Sequence, residues 1–355
     1  MKIGLLSMQR VNNYGSFWQA YCLKKLLQKD NNVVEFVDII PGALETQTEF
    51  KKSFSLSKIV RIPYYLKQKR KNDIFSEVQR DILKCTVEPN YSDKYDAIII
   101  GSDEVFNCIQ ASPWGFSTQL YGDIDNNNVS SYAACFGFTT LEDIEKRGIC
   151  DQIKKSLGNL KNISVRDDNS SKIINNLTGH YPEIHLDPVA IGDLPLVDLP
   201  EINEKKKYIL IYSYDFRFSD VSIINQIKKL AKKKKCKIYS VGFYQRWCDK
   251  NIITDPKTLL SYFKNAEYIV TDTFHGTIFS IRCHKQFATV IRSSNRQKLE
   301  DLLMRLGLKN RIFTENDNLE KVLIEKIDYE AFETLRKNER KRTEEYLNRC
   351  LQLLK

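Results

Sequence analysis

The sequence predicts an α/β protein made of two Rossmann-like domains that face each other across a cleft. Short apolar, strand-like runs alternate with helix-like segments along nearly the whole chain. A stretch rich in proline and charge, residues 191–207, interrupts this alternation near the middle. The alternation then resumes, and 355 residues are enough for two domains that each bury a core.

The first half of the chain begins with a strand-then-helix unit. Residues 3–7 and 33–39 are predicted strands, and residues 16–28 between them have the apolar spacing of a helix, which indicates a βαβ unit with parallel strands. The other elements predicted in this half are strands at 95–101, 129–134, 162–165 and 183–186 and helices at 73–84, 142–157 and 170–177. We therefore place an N-terminal Rossmann-like domain at residues 1–195 and a linker at 196–207.

The second half repeats the pattern after the linker. Its predicted strands are 208–212, 237–241, 268–270 and 287–291, and its predicted helices are 220–233, 257–265, 277–283 and 297–306. These define a C-terminal Rossmann-like domain at residues 208–325. Residues 326–355 form a C-terminal helical segment, in which 329–354 is a long charged helix whose apolar residues recur at helical spacing, so it can pack back across the linker.

Composition restricts the class of protein. Apolar residues make up 42% of the chain and charged residues 28%, as in globular proteins, and no stretch approaches the roughly eighteen apolar residues of a membrane span. The start, Met1-Lys-Ile-Gly-Leu-Leu-Ser7, is too short an apolar run for a signal peptide. We therefore expect a cytoplasmic protein that is not integral to a membrane.

The nine cysteines argue against a disulfide framework and a structural zinc site. Their number is odd, they are scattered, and they form neither a C-x-x-C pair nor a Cys/His cluster at ligand spacing. Most lie in apolar runs, as small buried residues do in a reducing compartment. We expect no metal site and no cofactor.

The net charge of +10 is unevenly distributed. Residues 51–71 contain eight Lys or Arg and no acid, interleaved with apolar residues, as in a basic amphipathic segment at an anionic lipid surface or beside a polyphosphate. A solvated surface helix explains the segment equally well. Lysines 232–235 end a predicted helix and indicate a solvent-facing surface. No nucleic-acid partner is expected, because no basic face with aromatic stacking groups is evident.

A histidine motif marks the most informative junction in the chain. The run Tyr268-Ile-Val-Thr-Asp-Thr-Phe-His-Gly-Thr-Ile-Phe-Ser-Ile281 turns from an apolar strand, through a polar turn at 271–274, into an apolar helix from Thr277. His275 is thus predicted at the carboxyl edge of a sheet beside helix N–H groups, where an anionic ligand fits. The alternative is a histidine that only caps the turn or fills a pocket.

Loops after the earlier strands hold other polar side chains. Asn12-Asn-Tyr-Gly-Ser16 opens the first helix, with a glycine that permits close approach of a ligand. Gly101-Ser-Asp-Glu-Val-Phe-Asn107 follows the strand at 95–101, and Asp103 can orient a sugar hydroxyl or remove its proton. Helix capping by Ser102 or Asp103 is the alternative for this loop.

Two further loops carry charged groups. Arg166 directly follows a strand, and its planar fork matches a carboxylate or phosphate, although a salt bridge to Asp167 or Asp168 explains it as well. Leu186-Asp-Pro188 ends the next strand with a carboxylate on a rigid turn.

Together these segments resemble the polysaccharide pyruvyl transferase family along nearly the whole chain. The matching segments are Lys2-Ile-Gly-Leu-Leu6, Asn12-Asn-Tyr-Gly-Ser16, Gln19-Ala-Tyr21, Tyr95-Asp-Ala-Ile-Ile-Ile-Gly-Ser-Asp-Glu-Val-Phe-Asn107, Ser131-Tyr-Ala-Ala-Cys-Phe-Gly137, Ile163-Ser-Val-Arg166, Leu186-Asp-Pro188, Thr271-Asp-Thr-Phe-His-Gly276, Ser294-Asn-Arg296 and Leu306-Gly-Leu308. Each motif is unspecific by itself, but their order and spacing together are specific.

The resemblance implies a glycosyltransferase-B-like pair of Rossmann domains and a transferase. Such enzymes move the enolpyruvyl carbons of phosphoenolpyruvate onto two sugar hydroxyls, release phosphate and leave a cyclic pyruvate ketal. The resemblance implies His275 and Asp103 as catalytic residues. The implied donor-binding residues are Arg166, Asn13, Gly15, Ser16, Thr273, Gly276, Thr277, Asn295 and Arg296. The implied acceptor-binding residues are Asp103, Ser102 and Asn107.

One departure from the family pattern affects the donor. Some members carry an arginine two residues before the motif histidine, whereas this chain has Thr273 there. Arg296, Arg292 or Arg166 can compensate for the missing cation, or the chain uses a different donor or acceptor.

Three functions follow from these observations. The first is a pyruvyl transferase acting on a sugar of a surface polysaccharide or of its lipid-linked precursor. An undecaprenyl diphosphate-linked acceptor would suit residues 51–71 at the anionic inner face of the membrane. The second is a glycosyltransferase that uses a nucleotide-sugar donor, and the third is a non-catalytic protein of polysaccharide assembly.

Overall fold

The computed structural model describes residues 1–29, 31–42, 62–110, 112–292 and 295–352, with the backbone alone for Ile62 and Pro63. The chain divides into two compact units. Unit 1 comprises the described residues of Met1–Val60, Val78–Asp193 and Lys337–Lys355, and unit 2 comprises those of Arg61–Glu77 and Leu194–Arg336. Each unit contains one parallel sheet and several helices, which confirms the predicted α/β class with two Rossmann-like units.

The elements alternate as the sequence predicts. The strands are β1 (Lys2–Leu6), β2 (Val33–Val37), β3 (Ala97–Asp103), β4 (Val129–Ala134), β5 (Leu160–Asn162), β6 (Ser164–Val165), β7 (Glu183–Ile184), β8 (Tyr208–Tyr212), β9 (Lys237–Val241), β10 (Lys250–Ile252), β11 (Tyr268–Thr271), β12 (Phe287–Val290) and β13 (Ile312–Phe313). The helices are α1 (Tyr14–Leu27), α2 (Ile62–Asp81), α3 (Leu141–Lys146), α4 (Cys150–Leu157), α5 (Asp168–Thr178), α6 (Pro188–Ile191), α7 (Val221–Lys234), α8 (Pro256–Asn265), α9 (Phe274–Arg282), α10 (Arg296–Arg305), α11 (Leu319–Ile324) and α12 (Tyr329–Gln352).

The sheet of unit 1 has the order β2-β1-β3-β4-β6-β7, and β5 also pairs with β4. Its pairings are parallel, with Leu6 opposite both Val37 and Ile100. The strands are nearly continuous apolar runs because helices cover both faces of a parallel sheet. Residues of strands and helices, among them Ile98 and Ile153, form one buried core. The carboxyl ends of β1, β3, β4 and β6 therefore lie along one edge, where their loops begin.

The sheet of unit 2 has the order β10-β9-β8-β11-β12-β13 and is also parallel. Its core joins strand residues such as Ile209 and Val270 to Ile227 of α7 and Leu323 of α11. The loops that follow β8, β9, β11 and β12 all begin at one edge, so His275 and residues after β8 and β12 become neighbours in space.

Two helices make the domain division differ from the sequence-based ranges. Helix α2 begins at Ile62, eleven residues before the predicted helix at 73–84, and its first part belongs to unit 2. There the Tyr64 ring packs 5.0 Å from that of Phe216. Gln68 donates a 2.7 Å hydrogen bond to Asp215. Helix α12 begins in unit 2, and its residues from Lys337 onward group with unit 1.

Local differences from the predicted elements have identifiable causes. The helix predicted at 142–157 is two helices, α3 and α4, separated at Gly148, whose φ of 65° is incompatible with a continuous helix. The strands β10 and β13 were not predicted, and they are only three and two residues long.

None of the helices in the described ranges is long and apolar enough to cross a membrane.

Helix α12 completes the core of unit 1. The Tyr346 hydroxyl donates a 2.7 Å hydrogen bond to the Ser131 carbonyl of β4, and its ring lies 4.7 Å from that of His185. The hydroxyls of Thr343 and Tyr132 lie 3.2 Å apart in the same buried layer. These contacts place the helix against the strands whose loops carry the polar residues of unit 1.

We expect Tyr346→Phe to lower the free energy of unfolding by about 1 kcal/mol, because the buried Ser131 carbonyl loses its donor. Urea denaturation followed by circular dichroism measures the change. Tyr181→Phe, at a side chain that is 73% exposed, is the matched control and should leave stability unchanged. Equal stability of the two variants would show that the buried hydrogen bond contributes nothing.

Candidate functional site

In unit 1, four chain segments bring a serine, an arginine and two aspartates together. The Ser16 hydroxyl donates a 2.7 Å hydrogen bond to Oδ2 of Asp103. Nη1 of Arg166 lies 3.5 Å from Oδ1 of Asp103 and 2.8 Å from Oδ2 of Asp187. The guanidinium therefore joins the two carboxylates. The structure thus brings together the sequence-predicted residues Ser16, Asp103 and Arg166.

Local capping explains how these side chains are positioned. Asn13 is the N-cap of α1, and its Oδ1 accepts a 2.8 Å hydrogen bond from the Gly15 amide, which places Ser16 in the first turn. Asp187 is the N-cap of α6, and its Oδ1 accepts from the Val189 amide at 2.9 Å. Its other carboxylate oxygen remains available to Arg166.

Arg166 is charged inside the protein. Its side chain is 3% exposed and that of Asp187 is fully buried, whereas that of Asp103 is 14% exposed. Burial by itself would lower the pKa of the Arg166 guanidinium, but Cys135, Asp187 and Asp103 together raise that pKa well above its usual value. Asp103 is thus the solvent-accessible member of this cluster. A carboxylate so held can orient a hydroxyl or accept its proton.

Ser102 and Asn107 stand apart from this cluster in their bonding. The buried Ser102 hydroxyl donates to the Ala133 carbonyl at 3.0 Å and accepts from the Asp103 amide at 2.6 Å, so it shapes the backbone at Asp103. Asn107 donates to Glu104 at 2.9 Å, and its side-chain oxygen accepts from Thr139 at 2.9 Å. Ser102 therefore supports Asp103, and Asn107 belongs to a neighbouring network.

In unit 2, His275 lies in the first turn of a helix that begins earlier than predicted. Helix α9 begins at Phe274, three residues before the predicted start at Thr277. The reason is Thr273, whose side chain caps the helix by accepting a 2.9 Å hydrogen bond from the Gly276 amide. His275 directly follows the first helical residue and is 8% exposed.

Close packing explains why position 276 is a glycine. A Cβ atom at this position would lie 2.2 Å from Oγ1 of Thr271 and 2.6 Å from both Oγ1 of Thr273 and a ring carbon of Tyr212. The Thr277 hydroxyl makes its hydrogen bond within the protein: it is buried and donates to the Thr273 carbonyl at 3.0 Å. Both residues hold the strand-to-helix junction together and thereby fix the position of His275.

Two arginines converge on Asp272 beside this junction. The buried Asp272 carboxylate bonds Nη1 of Arg292 through Oδ2, and Nε of Arg217 lies 3.3 Å from the same oxygen. The arginine side chains are 24% and 30% exposed. Within the described residues, Oδ1 of Asp272 and Nη2 of Arg292 are buried without a hydrogen-bond partner. The group carries one excess positive charge and unused hydrogen-bonding capacity.

Asn295 and Arg296, both expected to bind the donor, have different environments. The Asn295 side chain donates to the Asp272 carbonyl at 2.8 Å and accepts from the Arg292 amide at 2.7 Å, so it holds the loop that carries Arg292. The Arg296 side chain is 53% exposed and pairs with Glu300 one helical turn away at 2.7 Å. Ser294 of the same motif lies outside the described residues.

Sequence reasoning assigned no role to Arg217 or Asp272, and it noted Asp187 only as a carboxylate on a rigid turn after a strand. Arg217 lies in the loop after β8, Asp272 directly follows β11, and Asp187 follows β7. The rule that selected Arg166 and Asp187, a charged residue in a loop after a parallel strand, could also have found Arg217 and Asp272. Their pairing depends on strand order, which the sequence does not reveal.

No group of three or more His, Cys, Asp or Glu residues in the described part of the chain has an arrangement that could hold a metal ion.

Comparison with known proteins gives a family match and a set of distant structural neighbours. The family model for polysaccharide pyruvyl transferase matches residues 13–295. A comparison with curated protein sequences found no match. A solved structure of S. aureus MnaA with UDP is 12% identical, with a TM-score of 0.46 over 97% of this chain and 90% of that one. The spinosyn rhamnosyltransferase SpnG is 10% identical, with a TM-score of 0.48 over 99% of this chain and 100% of its own.

We expect Asp187→Ala to lower the free energy of unfolding by about 3–5 kcal/mol, because it leaves the buried Arg166 charge without its closest carboxylate. Chemical denaturation measures the loss, and Asp125→Ala, at an exposed aspartate of the same unit, is the control.

The double variant Asp187→Ala with Arg166→Met should be more stable than Asp187→Ala, because it also removes the buried charge. Equal stability of the single and double variants would contradict the charge-based explanation.

Proposed function

Because the chain belongs to the polysaccharide pyruvyl transferase family, and is therefore a transferase, we propose that it moves the enolpyruvyl group of phosphoenolpyruvate onto a sugar. The sugar belongs to a surface polysaccharide or to its lipid-linked precursor, and the product is a pyruvate ketal. The observation that carries this proposal is the pair of arginines on Asp272 beside His275. Phosphoenolpyruvate has a phosphate and a carboxylate, and each matches a guanidinium fork.

Arg292 and Arg217 compensate for Thr273, which stands where some family members have an arginine. Asp272 binds both guanidinium groups on one carboxylate oxygen and so limits their movement. The partly exposed arginine ends bind the donor phosphate or carboxylate. The buried Nη2 of Arg292, without a partner among the described residues, supports this assignment because it can still donate a hydrogen bond.

The proposed chemistry assigns proton transfers to His275 and Asp103. His275 donates a proton to the methylene carbon of phosphoenolpyruvate, which makes the adjacent carbon electrophilic. A sugar hydroxyl adds to that carbon and gives its proton to Asp103. Phosphate then leaves with the bridging oxygen, and the second hydroxyl adds to the same carbon and closes the ketal. The proton of the second hydroxyl restores the one that His275 donated, and Asp103 releases the proton of the first hydroxyl to solvent. Arg166 and Ser16 are positioning residues that hold Asp103 by the contacts described above.

The acceptor and its location are further parts of the proposal. An undecaprenyl diphosphate-linked sugar would be modified at the inner face of the cytoplasmic membrane, with residues 51–71 in peripheral contact with anionic lipid. Residues 51–61 of that segment lie outside the described part of the chain. Neither a metal ion nor a nucleic-acid partner has a role in this scheme.

We expect the purified protein to release phosphate from phosphoenolpyruvate only when a suitable acceptor is added. Free and lipid-linked galactose- and mannose-type sugars form the panel, and phosphate release is the readout. His275→Ala should abolish release because the proton donor is lost. His180→Ala, at an exposed histidine, is the matched control and should retain it.

Release that persists in His275→Ala would contradict the assigned role. Saturable binding of a nucleoside diphosphate, with no phosphate release across the panel, would favour the nucleotide-sugar glycosyltransferase. Neither activity, with no effect of His275→Ala on polysaccharide in cells, would favour a non-catalytic assembly protein.

We expect Arg292→Gln to raise the KM for phosphoenolpyruvate about tenfold or more, because a charged hydrogen bond to the donor contributes roughly 1.5–3 kcal/mol. Initial rates at saturating acceptor measure the effect. Arg80→Gln, at an exposed arginine that pairs with Asp81, is the control. An increase in KM for Arg296→Gln, with no increase for Arg292→Gln, would show that Arg296 rather than Arg292 binds the donor.

A further inference from the structure

Seven lysines line one depression on unit 2, with a volume of about 660 Å³. We call it the lysine depression. The lysines are Lys205, Lys206, Lys207, Lys228, Lys232, Lys235 and Lys237. The lining, which is drawn from described residues, includes one carboxylate, that of Asp249. Like charges this close repel one another, and a bound anion would relieve that repulsion.

The lysine depression and the candidate donor site lie at opposite edges of the same sheet. The lysines come from the segment before β8, from the last turns of α7 and from the start of β9. These are the amino ends of parallel strands. His275 and Asp272 follow the carboxyl end of β11. The depression is therefore separate from the residues proposed to bind the donor.

Most of the positive charge in the lysine depression has no local neutralisation. Lys207 pairs with Glu267 at 3.2 Å, and Nζ of Lys237 lies 3.9 Å from Asp249. The remaining five lysines have no carboxylate partner within the described ranges of the chain. The negative end of the α7 dipole accounts in part for lysines in its last turn. It does not account for Lys205, Lys206 or Lys228, which lie outside that turn.

The chemistry of the lining favours a broad anionic surface over a single phosphate or a nucleic acid. The lining contains no arginine, whose fork is typical of compact phosphate sites, and no aromatic ring on which a base could stack. Lysines are flexible, strongly hydrated point charges, and clusters of them bind anionic lipid headgroups. We propose that the lysine depression docks unit 2 onto an anionic phospholipid bilayer, in place of residues 51–71, whose described part packs on the loop after β8 at the opposite edge of the sheet.

Docking at this face does not depend on the donor or on the reaction. The strand β8 is five residues long, about 17 Å, and separates the lysine depression from the carboxyl edge. If the proposed function also holds, a lipid-linked acceptor must therefore extend several sugar units beyond its headgroup to reach that edge.

Co-sedimentation with vesicles tests this proposal. The full chain should bind vesicles that contain phosphatidylglycerol, should not bind phosphatidylcholine vesicles, and should lose affinity as salt is raised. The variant Lys205→Gln, Lys206→Gln, Lys228→Gln, Lys232→Gln and Lys235→Gln should lose at least about 100-fold in affinity, because each lysine at an anionic bilayer adds roughly fivefold. Circular dichroism and phosphate release should be unchanged.

A matched variant controls for total charge. Lys94→Gln, Lys154→Gln, Lys155→Gln, Lys161→Gln and Lys172→Gln remove five exposed lysines of unit 1 and lower the net charge equally. This variant should lose less than about tenfold in affinity. Equal losses in the two variants would mean that total charge governs binding and would overturn the proposal.

Two other results would also overturn it. One is a loss of vesicle binding in Lys51→Gln, Lys52→Gln and Lys58→Gln with none in the lysine-depression variant. The other is wild-type protein that does not bind phosphatidylglycerol vesicles but binds RNA through the same five lysines. That result would make the partner a nucleic acid.

Discussion

The buried guanidinium of Arg166 is the constraint on which the arrangement of unit 1 depends. A charge removed from water needs carboxylates close by, and they come from the ends of different strands, with Asp103 as the last residue of β3 and Asp187 after β7. Asp187 in turn caps α6, while Tyr132 and Tyr346 link the neighbouring strands to α12. The strand ends and the short helix α6 are therefore arranged around one charge, and α12 packs on β4 beside them.

Unit 2 uses the opposite arrangement of charge. There a buried carboxylate, Asp272, lies between two partly exposed arginines, whereas in unit 1 a buried arginine lies between two carboxylates. The first group has an excess positive charge and suits an anionic donor, and the second has an excess negative charge and suits a hydroxyl that must lose a proton. Both groups lie at the carboxyl edges of parallel sheets, where strand loops converge.

The sequence predicted the class of fold and part of the sites for a clear physical reason. Strand positions such as Tyr208–Tyr212 were correct because a parallel strand buried on both faces is a continuous apolar run. Loop residues after those strands, such as Asp103 and Arg166, followed from the same rule. The pairing of Asp272 with Arg217 was not predictable, because it depends on β8 and β11 being neighbours although they lie far apart in sequence. The early start of α9 was missed because a threonine cap looks like part of a turn.

The division of the chain also has a consequence for its synthesis. The polypeptide leaves unit 1 at Asp193 and returns at Lys337, about 140 residues later. A ribosome adding roughly 5–20 residues per second needs on the order of ten seconds or more to cover that distance. During this time the strands that α12 will cover have emerged without it, and the apolar surface around Tyr132 and His185 is open. Unit 2 can therefore fold before unit 1 is complete, which reverses the usual N-terminal-first order and gives chaperones a defined interval in which to act.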